Sequence, residues 1–147
     1  MDKYGELGDS LYCYPNSNIL KNKLDIQDGE TLQQAELELT EYASTLIEYE
    51  EPPYNLKYLQ TIHSNLFLDF YDWAGALRQV DIAKGDTRFC TFSRIEKEAD
   101  KRFNQLQQTN YFQDLSLDTL IQSIADFYCE LNVIHPFREG NGRTQRI

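Results

Sequence analysis

Apolar residues fall three or four positions apart through most of the chain, the spacing of one face of a helix. After Asp28, a residue suited to an N-cap, Leu32, Ala35, Leu39, Tyr42, Ala43 and Leu46 predict a long helix running to about Tyr49. Glu51-Pro52-Pro53 breaks it. Asn55 is placed to cap a second helix, whose expected buried stripe is Leu56, Leu59, Ile62, Leu66, Phe67 and Phe70. The period then changes. Leu77, Val80 and Ile82 precede the turn formers Ala83-Lys84-Gly85-Asp86, and the β-prone run Thr87-Arg88-Phe89-Cys90-Thr91-Phe92 follows, which predicts a hairpin. Ser93-Arg94-Ile95-Glu96 reads as a capping box opening a helix to about Asn110. The most regular stripe of all, Leu117, Leu120, Ile121, Ile124, Tyr128 and Leu131, predicts a last long helix from about Ser116 to Ile134. Ahead of these, residues 1–16 read as an ordered lead-in of turn formers and aromatics, with a short helix expected at residues 17–24. No internal repeat, low-complexity tract or long linker interrupts the pattern. The expected fold is one mainly α domain with a single β-hairpin.

Composition narrows what such a domain can do. At 147 residues, 41% hydrophobic and 26% charged, the chain can bury a core of its own. Its formal net charge of −10 repels phosphate backbones, so direct nucleic-acid binding is not expected. No apolar run approaches the ~20 residues of a membrane span, and the first residues lack a secretory layout, so the expected location is cytoplasmic. Cys13, Cys90 and Cys129 are odd in number and widely spaced, as reduced thiols are. With only His63 and His135, a multi-histidine metal site is excluded. His63 lies beside Ile62 on the second helix, away from the richest motif, and reads as a partly buried structural residue. An anionic ligand would need a local concentration of positive charge.

That concentration lies in His135-Pro136-Phe137-Arg138-Glu139-Gly140-Asn141-Gly142-Arg143-Thr144-Gln145-Arg146. Pro136 stops the preceding helix and leaves His135 at its end, facing a loop. Gly140 and Gly142 flank Asn141, so the backbone can approach a ligand closely and present its amides as an anion nest. Arg143 and Arg146 share a helix face and can fork onto phosphate oxygens. Glu139 supplies a hard oxygen suited to Mg²⁺ bridging those phosphates. Singly, each has an ordinary explanation: a histidine after a helix, a turn, a solvated arginine pair. Together they fit phosphate transfer.

The same segment matches, at every defined position, the signature His-Pro-Phe-x-Asp/Glu-Gly-Asn-Gly-Arg-x-x-Arg, and so resembles the Fic family. Tyr71-Asp72-Trp73-Ala74-Gly75-Ala76-Leu77-Arg78 resembles the aromatic-rich segment that leads into the family's hairpin, and Tyr14-Pro15 with Leu20-Lys21-Asn22-Lys23 resembles bacterial Fic toxins paired with a small antitoxin. The resemblance spans nearly the whole chain. It implies a Fic-domain helical bundle with a hairpin flap over residues 1–147. The implied activity is protein adenylyltransferase, moving AMP from ATP to a Ser, Thr or Tyr hydroxyl of a target protein. By that analogy His135 deprotonates the hydroxyl and Glu139 holds Mg²⁺ on the α- and β-phosphates. The turn of Gly140, Asn141 and Gly142 cradles the phosphates, Arg143 holds the β-phosphate and Arg146 the γ-phosphate. The flap would register the target by strand addition, and the analogy suggests a type II topoisomerase subunit as target. Relatives that act as kinases or transfer other phosphate-containing groups supply the alternative chemistry; an inactive remnant is the alternative without chemistry.

Two departures from the family pattern matter. Fic enzymes are often restrained by a helix carrying Ser/Thr-x-x-x-Glu-Gly/Asn, and the nearest match, Ser44-Thr45-Leu46-Ile47-Glu48, is followed by Tyr49. It reads as an ordinary helix face, so an inhibitory glutamate is expected from a separate antitoxin or a C-terminal segment. The chain also stops at Ile147, directly after Arg146, where family members continue, which reads as truncation just after the signature.

Overall fold

Three side chains start helices by giving a backbone amide a partner that the helix itself cannot supply. Asp28 accepts from the Thr31 amide at 2.8 Å and opens α1 (Gly29–Ser44). Asn55 accepts from the Tyr58 amide at 2.8 Å and opens α2 (Leu56–Phe67). Ser116 caps α4 (Leu117–Ile134) through Thr119. Between them lie α3 (Ile95–Gln108) and a two-stranded antiparallel hairpin, β1 (Ala83–Lys84) and β2 (Thr87–Arg88). A last short helix, α5 (Asn141–Thr144), follows α4. The computed structural model describes residues 9–147; the first half of the expected lead-in lies outside the described residues.

The second helix is the pillar, because apolar residues emerge on two of its sides. Ile62, Leu66 and Phe67 join Tyr12, Ile19, Leu20, Leu32, Phe70 and Tyr71 on the side of the lead-in and α1. Leu56 and Leu59 join Ile95, Ala99, Phe103, Leu106, Leu131, Ile134 and Phe137 on the side of α3 and α4. Each large side chain fully buried here contributes roughly 1.5–3 kcal/mol. The fold is mainly α with one hairpin, as expected.

Several expected elements differ. Residues 17–24 form no helix. A Pro15-Asn16 turn, with Asn16 at φ 56°, folds the chain back so that Cys13 bridges Leu20, and Ile19 and Leu20 are buried. The Ser93 capping box is not formed: Ser93 lies in a 3-10 turn, Phe92–Arg94, and α3 starts without a side-chain cap. Asp81 instead ties that turn to the hairpin by accepting from the Phe92 amide at 2.8 Å. The hairpin is shorter than expected, since Ala83 and Lys84 are strand and only Gly85-Asp86 turn.

Two apolar stripes are not buried as their spacing predicts. In α1 the buried face is Leu32, Glu36 and Thr40, while Tyr42, and Leu46 beyond the helix end, are exposed. The polar pair is buried because it has polar partners inside, described below. In α4, Leu117 and Ile121 are 70% and 58% exposed, and Ile124 is exposed too; only Leu131 and Ile134 are buried. The α1 helix ends at Ser44, so residues 45–48, expected to be a helix face, lie beyond it.

Candidate active site

The C-terminus of α4 delivers His135. Its backbone closes the helix in the left-handed region, φ 48° and ψ 67°, an arrangement that costs a non-glycine residue roughly 1–2 kcal/mol. Arg78 holds it there. Its Nε donates to the His135 carbonyl at 2.8 Å, Nη1 to Val80 at 2.7 Å, and Nη2 to the carbonyls of Ile134 and Cys90. One buried guanidinium thus satisfies the end of α4 and both sides of the hairpin base at once. The Arg78 amide adds a bond to the Pro136 carbonyl at 2.9 Å.

The imidazole of His135 is fixed from two directions. Nδ1 lies 2.6 Å from the Asn132 carbonyl, which can only accept, so Nδ1 carries the proton and the basic lone pair lies on Nε2. Phe89, at the base of the flap, stacks on the ring with centroids 3.9 Å apart. Burial pushes the His135 pKa below its ordinary value; the Asn132 bond opposes that, and the charges of Arg78 and Lys84 add to it. The ring is neutral at pH 7, as a general base must be.

The loop after His135 is held by its own side chains. Asn141 is buried, accepts from the Phe137 amide at 2.8 Å and donates to the Phe137 carbonyl at 2.7 Å. Its role is to clamp the turn into shape. Gly140 sits at φ 78°, and a Cβ there would lie 2.3 Å from the Phe67 ring, so only glycine fits. At Gly142 the nearest group to such a Cβ is Arg146 Nη1 at 3.8 Å, so one side of the turn is open. Glu139 is buried and accepts from the Gly140 amide at 3.0 Å.

His63 is structural, as expected, but it does not lie away from the motif. Fully buried, it accepts from the Gly75 amide at 2.8 Å and donates through Nε2 to the Glu139 carbonyl at 3.0 Å. Its ring stacks between Phe67 and Phe137. Burial, with help from the Arg143 charge, lowers its pKa to about 4 against the Glu139 bond, so it is a neutral strut.

The two arginines diverge. Both line a cleft of about 420 Å³ between α1 and α5, with Glu36, Thr40, Ser44 and Leu66. Arg146 is exposed, whereas Arg143 reaches α1, where Nη2 meets a carboxylate oxygen of Glu36 and Nη1 donates to Thr40 Oγ1 at 2.8 Å. Arg138, at the variable position of the signature, is fully buried on Asp9 at 2.9 Å and over the Tyr12 ring, and so ties the lead-in to the motif. Arg138 leaves no signal in the sequence, because the signature leaves its position open. Glu36 leaves one that is easily passed over, a carboxylate four residues after Leu32. Arg78 stands within the aromatic-rich segment that leads into the hairpin. No helix of the described residues is long and apolar enough to cross a membrane.

This arrangement of a helix-end histidine, a glycine turn and a short arginine-bearing helix is that of a known family. The Fic/DOC family model matches residues 53–147, and the chain belongs to that family. It is 43% identical over 146 residues to "Probable protein adenylyltransferase Fic" of Salmonella typhimurium, covering 99% of this chain and 72% of that protein. It is 36% identical over 153 residues to the protein adenylyltransferase VbhT of Bartonella schoenbuchensis, covering 99% of this chain and 31% of that larger protein. Among solved structures, the BepC effector of Bartonella tribocorum with bound AMPPNP superposes with a TM-score of 0.83 at 29% identity, covering 92% of this chain and 73% of that one.

Proposed function

We propose that the chain is a protein adenylyltransferase that moves AMP from ATP to a hydroxyl side chain of a target protein, with His135 as general base. The observation that carries this reading is the state of His135: neutral, oriented by Asn132 and Arg78, and with its basic nitrogen on Nε2. The target oxygen attacks the α-phosphorus, its proton passes to Nε2, and the α–β bridging oxygen leaves with pyrophosphate. The curated relatives named as adenylyltransferases and the AMPPNP-bound neighbour support the assignment.

The remaining roles are those that the resemblance to the family implies. The turn of Gly140, Asn141 and Gly142 would cradle phosphate oxygens, its Gly140 amide held by Glu139 and Asn141 keeping the turn in shape. Arg143 holds the β-phosphate and Arg146 the γ-phosphate. A single carboxylate completed by substrate phosphates is the usual protein share of a Mg²⁺ site, and Glu139 fits it. The ion would neutralise charge on the α- and β-phosphates. The hairpin, beside His135 through Phe89, would present an edge to the target segment. Resemblance to antitoxin-paired toxins further proposes a small partner supplying a glutamate to Arg146, a type II topoisomerase subunit as target, and action in the cytoplasm.

The test is transfer of label from ATP, carried at the α- or the γ-phosphate, to proteins of a bacterial lysate with Mg²⁺, beside His135→Ala. Label from the α-position alone, lost in the variant, is expected. Label from the γ-position alone would make the chain a kinase.

A further inference from the structure

Arg143 does not stand in the cleft as an unsupported charge. Its guanidinium has five N–H donors. Nη1 donates to Thr40 Oγ1 at 2.8 Å and to the Glu36 carbonyl at 3.5 Å, and Nη2 donates to Glu36 Oε1. Those bonds leave the Nε donor and one Nη2 donor for an anion. The guanidinium also lies 5.1 Å over the Phe67 ring, the same ring that fixes Gly140. The fork is therefore set in plane, rotation and height before any ligand arrives.

Glu36 is held just as firmly. It is 7% exposed, and its second carboxylate oxygen accepts from the hydroxyl of Tyr71, itself fully buried and stacked on Trp73. A carboxylate taken out of water costs several kcal/mol unless charged and polar partners compensate it. Here those partners are one motif arginine and one tyrosine. That explains why α1 buries Glu36 and Thr40 in place of the apolar stripe its sequence offers.

We propose that Glu36, backed by Tyr71 and Thr40, is a positioning residue that presents the two remaining donors of Arg143 to the β-phosphate of the bound nucleotide. This deepens the nucleotide-site reading above and rests on it. A glutamate that instead competed with phosphate would have to be displaced on binding. Tyr71 on one oxygen, Arg143 on the other and the Thr40 hydroxyl beside them make a closed set with no second partner to move to.

The geometry gives a test that a loss of packing cannot imitate. ADP and AMP differ by the β-phosphate alone, so their affinities for the 147-residue chain are measured by titration calorimetry with Mg²⁺. Glu36→Gln is expected to weaken ADP about tenfold, a change of about 1.4 kcal/mol, while AMP stays within about twofold. Tyr71→Phe should act in the same direction but less, and it carries the test if Glu36→Gln does not fold by circular dichroism. In an Arg143→Ala background, Glu36→Gln should cost nothing further, since its effect passes through that arginine. Equal weakening of AMP and ADP, additive losses, or tighter ADP binding by Glu36→Gln would each overturn the proposal. A wild-type chain that binds neither nucleotide would sink the nucleotide site itself, a failure distinct from that of the positioning role.

Discussion

The Nε of Arg78 donates to the carbonyl of His135 at 2.8 Å, although the two residues lie 57 positions apart. The bond links the strand side of the hairpin base to the helix end that carries His135, the proposed general base. Arg78 also serves the carbonyls of Val80, Cys90 and Ile134, making four acceptors that a lysine ammonium cannot span with one nitrogen. Arg78→Lys should therefore leave buried carbonyls unpaired, at roughly 1–3 kcal/mol each. The expected loss is at least about 2 kcal/mol in urea unfolding, with transfer activity reduced at least about tenfold where the variant is still folded. Stability within about 0.5 kcal/mol of wild type would show the clamp to be dispensable.

The same histidine predicts a pH profile. Burial lowers the His135 pKa, so the neutral, active ring persists below the ordinary value of 6.5. Activity should fall on the acid side as the ring gains a proton, with the midpoint of that limb below the ordinary 6.5. An Asn132→Pro change would confound this with helix damage, so the comparison is Phe89→Leu, which opens one face of the ring to water. Its acid limb should move up towards 6.5. A wild-type limb centred above 6.5 in kcat/KM would contradict the burial argument.

Two glycines of the turn separate structure from ligand approach. Gly140→Ala meets the Phe67 ring at 2.3 Å and must also hold φ 78°. Left-handed strain of ~1–2 kcal/mol and overpacking of ~1–3 kcal/mol together predict a loss of about 2–5 kcal/mol in thermal or chemical unfolding. Gly142→Ala finds nothing closer than Arg146 Nη1 at 3.8 Å and should stay within about 1 kcal/mol of wild type. If Gly142→Ala folds normally yet weakens Mg-ATP binding, that face of the turn is where phosphate approaches. Unchanged nucleotide affinity would remove Gly142 from the site.

Much of this is legible along the chain because local rules decide it. Asp28, Asn55 and Ser116 cap helices because each needs only an amide three residues on. The α2 stripe is buried nearly as expected because that helix is apolar on two sides. What the chain hides is non-local. The Ser93 capping box loses to a 3-10 turn tied to Asp81, eleven residues before Phe92. The α1 stripe loses to a carboxylate whose partners are more than thirty residues away in one case and more than a hundred in the other. The α4 stripe is an amphipathic face, but periodicity says only that a face is apolar, and nothing among the described residues covers Leu117 or Ile121. The motif residues can be placed because a glycine turn and a proline constrain their own neighbourhood. Their supports, Arg78, Glu36 and Arg138, come from elsewhere in the fold or from an open position of the signature.

His63 supplies a stability prediction whose sign is fixed by burial. Its folded pKa is about 4, against 6.5 for the ordinary imidazole. In the unfolded chain the ring gains its proton as pH falls through about 6.5, and in the folded protein only near 4, so protons favour unfolding between those values. The contribution is fully present above pH 6.5 and is lost progressively down to about 4, by up to ~3 kcal/mol. His135 shifts in the same direction, and carboxylates titrate at the acid end, so wild type must be compared with a variant at one position. His63→Gln keeps a donor and an acceptor for Glu139 and Gly75 but does not titrate. It should be less stable than wild type at about pH 7 because it loses the stacking with Phe67 and Phe137. Urea unfolding at about pH 7, 5.5 and 4.5 should then bring the two curves together as pH falls, the gap narrowing by about a kcal/mol or more. A constant gap across that range would mean that His63 takes up its proton at the same pH in the folded as in the unfolded chain, and the neutral strut beneath Glu139 would have to be abandoned.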